Sequence, residues 1–106
     1  MGFNMQKLMK QAQKMQNDMA KAQEELKTME VEGVSGGGMV RVVANGSQEI
    51  LSIAIDPQIV DPEDVEMLED MVLAAIKDAL NAAQTMAAEK MAKITGGMGG
   101  GLPGMF

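Results

Sequence analysis

Met39-Val40-Arg41-Val42-Val43-Ala44-Asn45-Gly46-Ser47-Gln48-Glu49-Ile50-Leu51-Ser52-Ile53-Ala54-Ile55 is the stretch on which the fold turns. β-Branched residues dominate residues 39–44 and 50–55, and Asn45-Gly46 between them is a strong two-residue hairpin signal. A type I′ turn there pairs Ala44 with Ser47, Val42 with Glu49 and Val40 with Leu51. In that register Val40 and Val42 share a face with Leu51, Ile53 and Ile55, so turn chemistry and alternation agree on an antiparallel hairpin. Upstream, residues 30–34 read as a third, shorter strand joined through Ser35-Gly36-Gly37-Gly38.

Helices flank this sheet. Residues 4–30 contain no Gly or Pro and are rich in Gln, Lys, Met, Ala and Glu, all good helix formers. Met5, Leu8, Ala12, Met15, Met19, Ala22, Leu26 and Met29 follow one another at alternating spacings of three and four, a heptad seam that calls for a partner. Downstream, Asp56-Pro57 ends the hairpin. Asp61-Pro62-Glu63-Asp64 reads as a helix start, with Asp61 as N-cap and Pro62 in the first helical position. That helix is predicted to reach about Lys93. Its broad apolar face carries Leu68, Met71, Val72, Ala75, Ile76, Ala79, Leu80, Ala83, Met86 and Ala87. From Gly96 the chain loses all periodicity. The reading is an α+β protein of order α-β-β-β-α, with two long helices and a small antiparallel sheet. Residues 1–95 form a single domain, and 96–106 a flexible Gly/Pro-rich tail.

Dimensions bear on assembly. Helices of these lengths span roughly 40 and 45 Å, whereas six-residue strands span about 20 Å. So small a sheet leaves much of both apolar seams in water, and a homodimer is the economical closure. Met15, Met19, Val40, Val42, Leu51, Ile53 and Ile55 are the candidate interface residues. A monomeric antiparallel helix pair is the competing solution.

Composition excludes much chemistry. The 106 residues include no His and no Cys, which removes Ser-His-Asp and Cys-His catalysis, His/Cys zinc sites and thiol redox chemistry. No catalytic residue, metal site or cofactor is expected, and the chain reads as a non-enzyme. The absence of disulfides fits a reducing compartment. The longest apolar run, Val72 to Ile76, is too short to span a bilayer, and the first residues lack a signal-peptide core. A soluble cytoplasmic protein is expected.

Charge is unevenly distributed. Fifteen acids against nine bases give a formal net charge of −6. Yet residues 1–29 hold Lys7, Lys10, Lys14, Lys21 and Lys27 against Asp18, Glu24 and Glu25, a net of +2, leaving −8 for the rest. Lys7, Lys14 and Lys21 share one heptad position with Lys10 beside them, off the apolar seam. The stripe is about 21 Å long, and such an arm can follow several phosphates of a duplex. An ordinary solvated helix face is the plain alternative. The same helix could instead lie on a membrane through Phe3, Met5, Leu8 and Met9, but a narrow seam continuing to Met29 favours helix packing. Met pairs four apart, such as Met15/Met19, invite Cu(I); as gap-fillers on a buried face they need no metal. Acids at 63–70 lack the ligand spacing of a calcium loop and suit a helix start. Gly36-Gly37-Gly38 lacks the lysine of a phosphate loop.

Several linked features now combine: Leu8-Met9-Lys10-Gln11-Ala12-Gln13-Lys14-Met15-Gln16; Val31-Glu32-Gly33-Val34-Ser35-Gly36-Gly37-Gly38-Met39-Val40; Asn45-Gly46; Ile55-Asp56-Pro57; Asp61-Pro62-Glu63-Asp64 with Glu66-Met67-Leu68-Glu69-Asp70; and a Gly/Pro tail ending in Phe106. In this order, over nearly the whole chain, the sequence resembles the YbaB/EbfC family of bacterial nucleoid-associated proteins. The resemblance implies a tweezer-like homodimer that binds double-stranded DNA with little sequence preference in some members. It also implies a cytoplasmic, nucleoid-associated location, with no membrane partner and no small-molecule substrate. By that analogy DNA lies on the projecting helices. Lys7, Lys10, Lys14 and Lys21 are the candidate DNA-binding residues, with Lys90 and Lys93 secondary, chosen by charge alone. The alternative function is a protein-interaction adaptor using the Met-rich seam and the acidic surface.

Overall fold

The structure is a computed structural model that describes residues 4–96. Phe3 and residues 97–106, nearly all of the segment read as a flexible tail, lie outside the described residues. Helix α1 (Met5–Thr28) starts at Asn4, whose side chain accepts from Lys7 N at 3.2 Å. Strand β1 (Glu30–Ser35) leads through a tight turn at Gly36–Gly38 into β2 (Val40–Asn45), followed by β3 (Ile50–Ile55) and α2 (Val65–Gly96). The three turn glycines have φ of 60°, 67° and 91°, left-handed values that side chains disfavour. The sheet order is β1-β2-β3, antiparallel throughout, so the α-β-β-β-α order is as read from the sequence.

The hairpin forms where expected, with a different turn. Gln48, not Gly46, is the left-handed residue (φ 63°). Its N–H donates to Asn45 O at 3.0 Å, and Asn45 N donates to Glu49 O at 3.0 Å, as in a longer loop closed by a left-handed residue. The register therefore pairs Ala44 with Ile50, Val42 with Ile53 and Val40 with Ile55, in place of Ser47, Glu49 and Leu51. The ladder shifts between Val43 and Ala44, leaving Leu51 as the extra residue. The slip is three residues at Ala44 and four beyond the irregularity, and the even slip there leaves Val40, Val42, Ile53 and Ile55 on a common face.

Contacts from α1 fix this turn. Gly46 N donates to both Leu26 O (2.8 Å) and Met29 O (2.9 Å). A Cβ at Gly46 would lie 2.6 Å from Leu26 Cδ2, so the glycine permits close approach rather than a special φ. Asn45, buried, accepts from Ser47 N and Glu49 N at 3.0 Å each through Oδ1. Its Nδ2 donates to Lys27 O (3.2 Å) and Glu49 Oε1 (2.8 Å).

Helix α2 starts three residues later than its sequence implies. Asp61 caps only a preceding turn, its side chain accepting from Glu63 N at 2.9 Å. The helix itself is capped by Asp64, which accepts from Met67 N at 3.2 Å.

The core is thin. Ala75, Ala79 and Ala83 of α2 and Val40, Val42 and Ala44 of β2 are all completely buried, and the two valines are the largest fully buried side chains. Val40 and Val42, taken from the sequence as dimer-interface residues, lie in the protomer core. Small residues let α2 lie almost on the backbone of β1: a Cβ at Gly33 would come within 2.2 Å of Ala79 N. α2 also closes the outer edge of β1. Asp78 Oδ2 accepts from Val34 N (3.0 Å), and Ser35 Oγ donates to Met71 O (2.5 Å). β3 has no such cover; all six of its residues are exposed, Ile50, Leu51, Ile53 and Ile55 among them.

Candidate nucleic-acid interface

Helix α1 runs toward the sheet and α2 away from it, so the two meet over limited lengths. Ala22 and Leu26 are the buried residues of α1. Around them Asp18, Lys21, Ala22 and Glu25 face Lys90, Lys93 and Ile94 of α2 across a cleft. Lys90 Nζ and Glu25 Oε2 close it at 2.6 Å. The hydrogen bond from Lys90, and next its charge, hold the Glu25 carboxyl below the usual carboxylate range, with Lys21 adding a little. Beyond this cleft the first turns of α1 are exposed. Met5 is 61% and Met9 66% exposed, and Leu8 and Met19 are also open.

The structure therefore sorts the lysines. Lys7, Lys10, Lys14 and Lys21 are exposed on α1, and between residues 4 and 17 no acid interrupts the first three. At 3.6 residues per turn, positions seven apart drift by only about 20°, so Lys7, Lys14 and Lys21 form a nearly straight row. Lys90 is different: its side chain is 23% exposed and engaged by Glu25, which makes it an anchor for α1. Lys93 is exposed at the same end.

A cluster of acids lies at the other end. Glu63, Asp64, Glu66, Glu69 and Asp70 surround the start of α2, about 40 Å along that helix from Lys93. A net charge of −6 is thus an average over a molecule with a basic arm and an acidic pole. Among the described residues no group of three or more acids could hold a metal, and no helix is long and apolar enough to cross a membrane.

A second feature escaped the sequence reading. Ile55 of β3 and Leu68, Val72, Leu73 and Ile76 of α2 line an open apolar groove beside the bare strand. Leu73 is 51% exposed and Ile53 45%. Leu73 stands off the apolar face assigned to α2, and that displacement was the available signal. Leu51 and Ile55 are exposed too, so of the sheet residues named as interface candidates Leu51, Ile53 and Ile55 are accessible.

Comparison with known proteins adds a second line of support. The family model described as the YbaB/EbfC DNA-binding family matches residues 1–98. A protein of Pelotomaculum thermopropionicum named nucleoid-associated protein is 56% identical, with 100% of this chain and 99% of the relative covered. One of the same name from Desulforamulus reducens is 58% identical over the same shares. Among solved structures, an uncharacterized protein of Helicobacter pylori superposes with a TM-score of 0.72 at 25% identity, covering 82% of this chain and 91% of that one. On fold and sequence together, the chain belongs to the YbaB/EbfC DNA-binding family.

Proposed function

We propose that the protein is a non-enzymatic, nucleoid-associated DNA-binding protein that acts as a homodimer and grips duplex DNA through the phosphates facing its α1 arms. The observation that carries this reading is the row Lys7, Lys10 and Lys14, exposed on the first half of α1, where residues 5–17 carry no acid. Family membership and the names of the relatives support it. Lysine ammonium groups meet phosphates as point charges, and such contacts position a protein on DNA without specifying sequence.

The second copy meets the first at β3. Its open edge and the adjoining groove of Ile55, Leu68, Val72, Leu73 and Ile76 are the apolar surface that the protomer leaves unfinished. Edge-to-edge pairing extends the sheet and satisfies the free backbone groups. Closed two-fold symmetry sends two arms from one body.

Charge reversal tests the function. Lys7→Glu/Lys10→Glu/Lys14→Glu should fold as wild type by circular dichroism and lose at least tenfold in duplex affinity in a gel-shift titration at low salt. Wild-type affinity in the folded variant would show that the arm plays no part in binding. A protein that binds no DNA at low salt but co-purifies with a protein partner would favour the adaptor function instead.

A further inference from the structure

Alone among Asn4, Asn17, Asn45 and Asn81, Asn45 is followed by glycine. A following glycine favours attack of the next backbone nitrogen on the asparagine side chain, because no Cβ stands in the way. The step balances within the chain. Gly46 N gives up its proton and bonds to Asn45 Cγ; the Cγ–Nδ2 bond breaks, and Nδ2 leaves with that proton as ammonia. Water then opens the cyclic imide to aspartate or, at its other carbonyl, to isoaspartate.

The fold opposes both requirements of ring closure. The Gly46 N–H is held between Leu26 O and Met29 O, at 2.8 and 2.9 Å, so two acceptors bind the proton that must be lost. Asn45 is only 3% exposed, and both ends of its amide are engaged. Oδ1 accepts from Ser47 N and Glu49 N, while Nδ2 donates to Lys27 O and Glu49 Oε1. Cγ cannot turn toward Gly46 N until these bonds break. Leu26, Lys27 and Met29 belong to the end of α1 and its C-cap, so the contacts that dock α1 on the hairpin also close the reaction. We propose that Asn45 is a deamidation site that stays shut while α1 is docked, opens when that junction separates, and once reacted keeps the junction from closing. In the aspartate product an oxygen replaces Nδ2 and faces Lys27 O and the Glu49 carboxylate, with no donor among them. Isoaspartate lengthens the backbone ahead of Gly46 by one carbon and moves its N–H off both carbonyls. A chain that opens long enough to react is thus marked irreversibly. This inference does not rest on DNA binding.

Full-length protein aged in mildly alkaline buffer, then digested and mapped by mass spectrometry, reads the site directly, with isoaspartate distinguished by electron-transfer fragmentation. Asn45 should react at least about tenfold more slowly in folded protein than in urea-unfolded protein. Leu26→Ala removes the side chain that presses on Gly46 and should speed the reaction of the folded chain severalfold. Urea below the unfolding transition of the wild type should do the same without any substitution. In Asn45→Asp, which reproduces one product, the Gly46 amide should exchange hydrogen at least about tenfold faster than in wild type. Equal rates in folded and unfolded chains would overturn the proposal, as would a folded rate that neither Leu26→Ala nor dilute urea changes. Wild-type protection of Gly46 in Asn45→Asp would also overturn it, because the product would then leave the junction closed.

Discussion

At the level of single residues, two glycines and an asparagine decide how closely the elements approach. Gly33 sits where a Cβ would meet Ala79 N at 2.2 Å and Ala75 O at 2.4 Å, backbone atoms that cannot move aside cheaply. Gly33→Ala should lower stability by about 3 kcal/mol in urea unfolding. Asn45 is buried with both ends of its amide engaged, so Asn45→Ala leaves Lys27 O and the turn amides without partners. A loss of about 2 kcal/mol is expected by the same measurement. Asn45 and Gly46 were visible in the sequence for the wrong reason. Asn45-Gly46 marked a turn correctly, but pattern alone showed neither Leu26 pressing on Gly46 nor the Asn45 bond to Lys27 O. These interactions join residues far apart in sequence, and they change the turn type and the register.

Elements were more legible, because their periodicity is local. The apolar face read for α2 is the one that meets the sheet, with Ala75, Ala79 and Ala83 at its centre. Its start moved from Asp61 to Asp64 because both aspartates can cap and only the tertiary path distinguishes them. For α1 the seam was legible while its partner was not, since heptad spacing is silent on where cover ends. The Glu25–Lys90 pair anchors that helix and gives it a pH response. The Glu25 carboxyl is held below its usual range in the folded state. Its stabilisation is present above the unfolded-state value and is lost as pH falls through the lowered folded value. Hydrogen exchange at amides 18–26 should therefore accelerate several-fold relative to the sheet as pH drops through that acid window, after correction for intrinsic rates. In Glu25→Gln the exchange should be faster at neutral pH and lack the acid-dependent step. A wild-type profile in the variant would show that the ion pair does not hold α1.

For the whole molecule, shape and charge are the unit of explanation. The principal extents of 75 × 28 × 16 Å describe a body that α2 closes at β1 and leaves open at β3. Ile53→Asp/Leu73→Asp places charge on that open side without touching the arm. By analytical ultracentrifugation the wild type should sediment at twice the protomer mass, and the variant should shift toward one protomer. DNA affinity should fall with it, because one arm then binds where two did. A variant that stays dimeric would move the interface elsewhere. Engagement of DNA phosphates by the α1 lysines shows itself in the salt dependence of duplex affinity. Fluorescence polarisation of wild type and Lys7→Gln/Lys10→Gln/Lys14→Gln over a salt series gives the slope of log K against log salt. The slope should become shallower by about 0.9 for each phosphate that a lysine no longer neutralises, up to about 2.7 for one engaged arm. Identical slopes and affinities in the two proteins would contradict phosphate binding by α1.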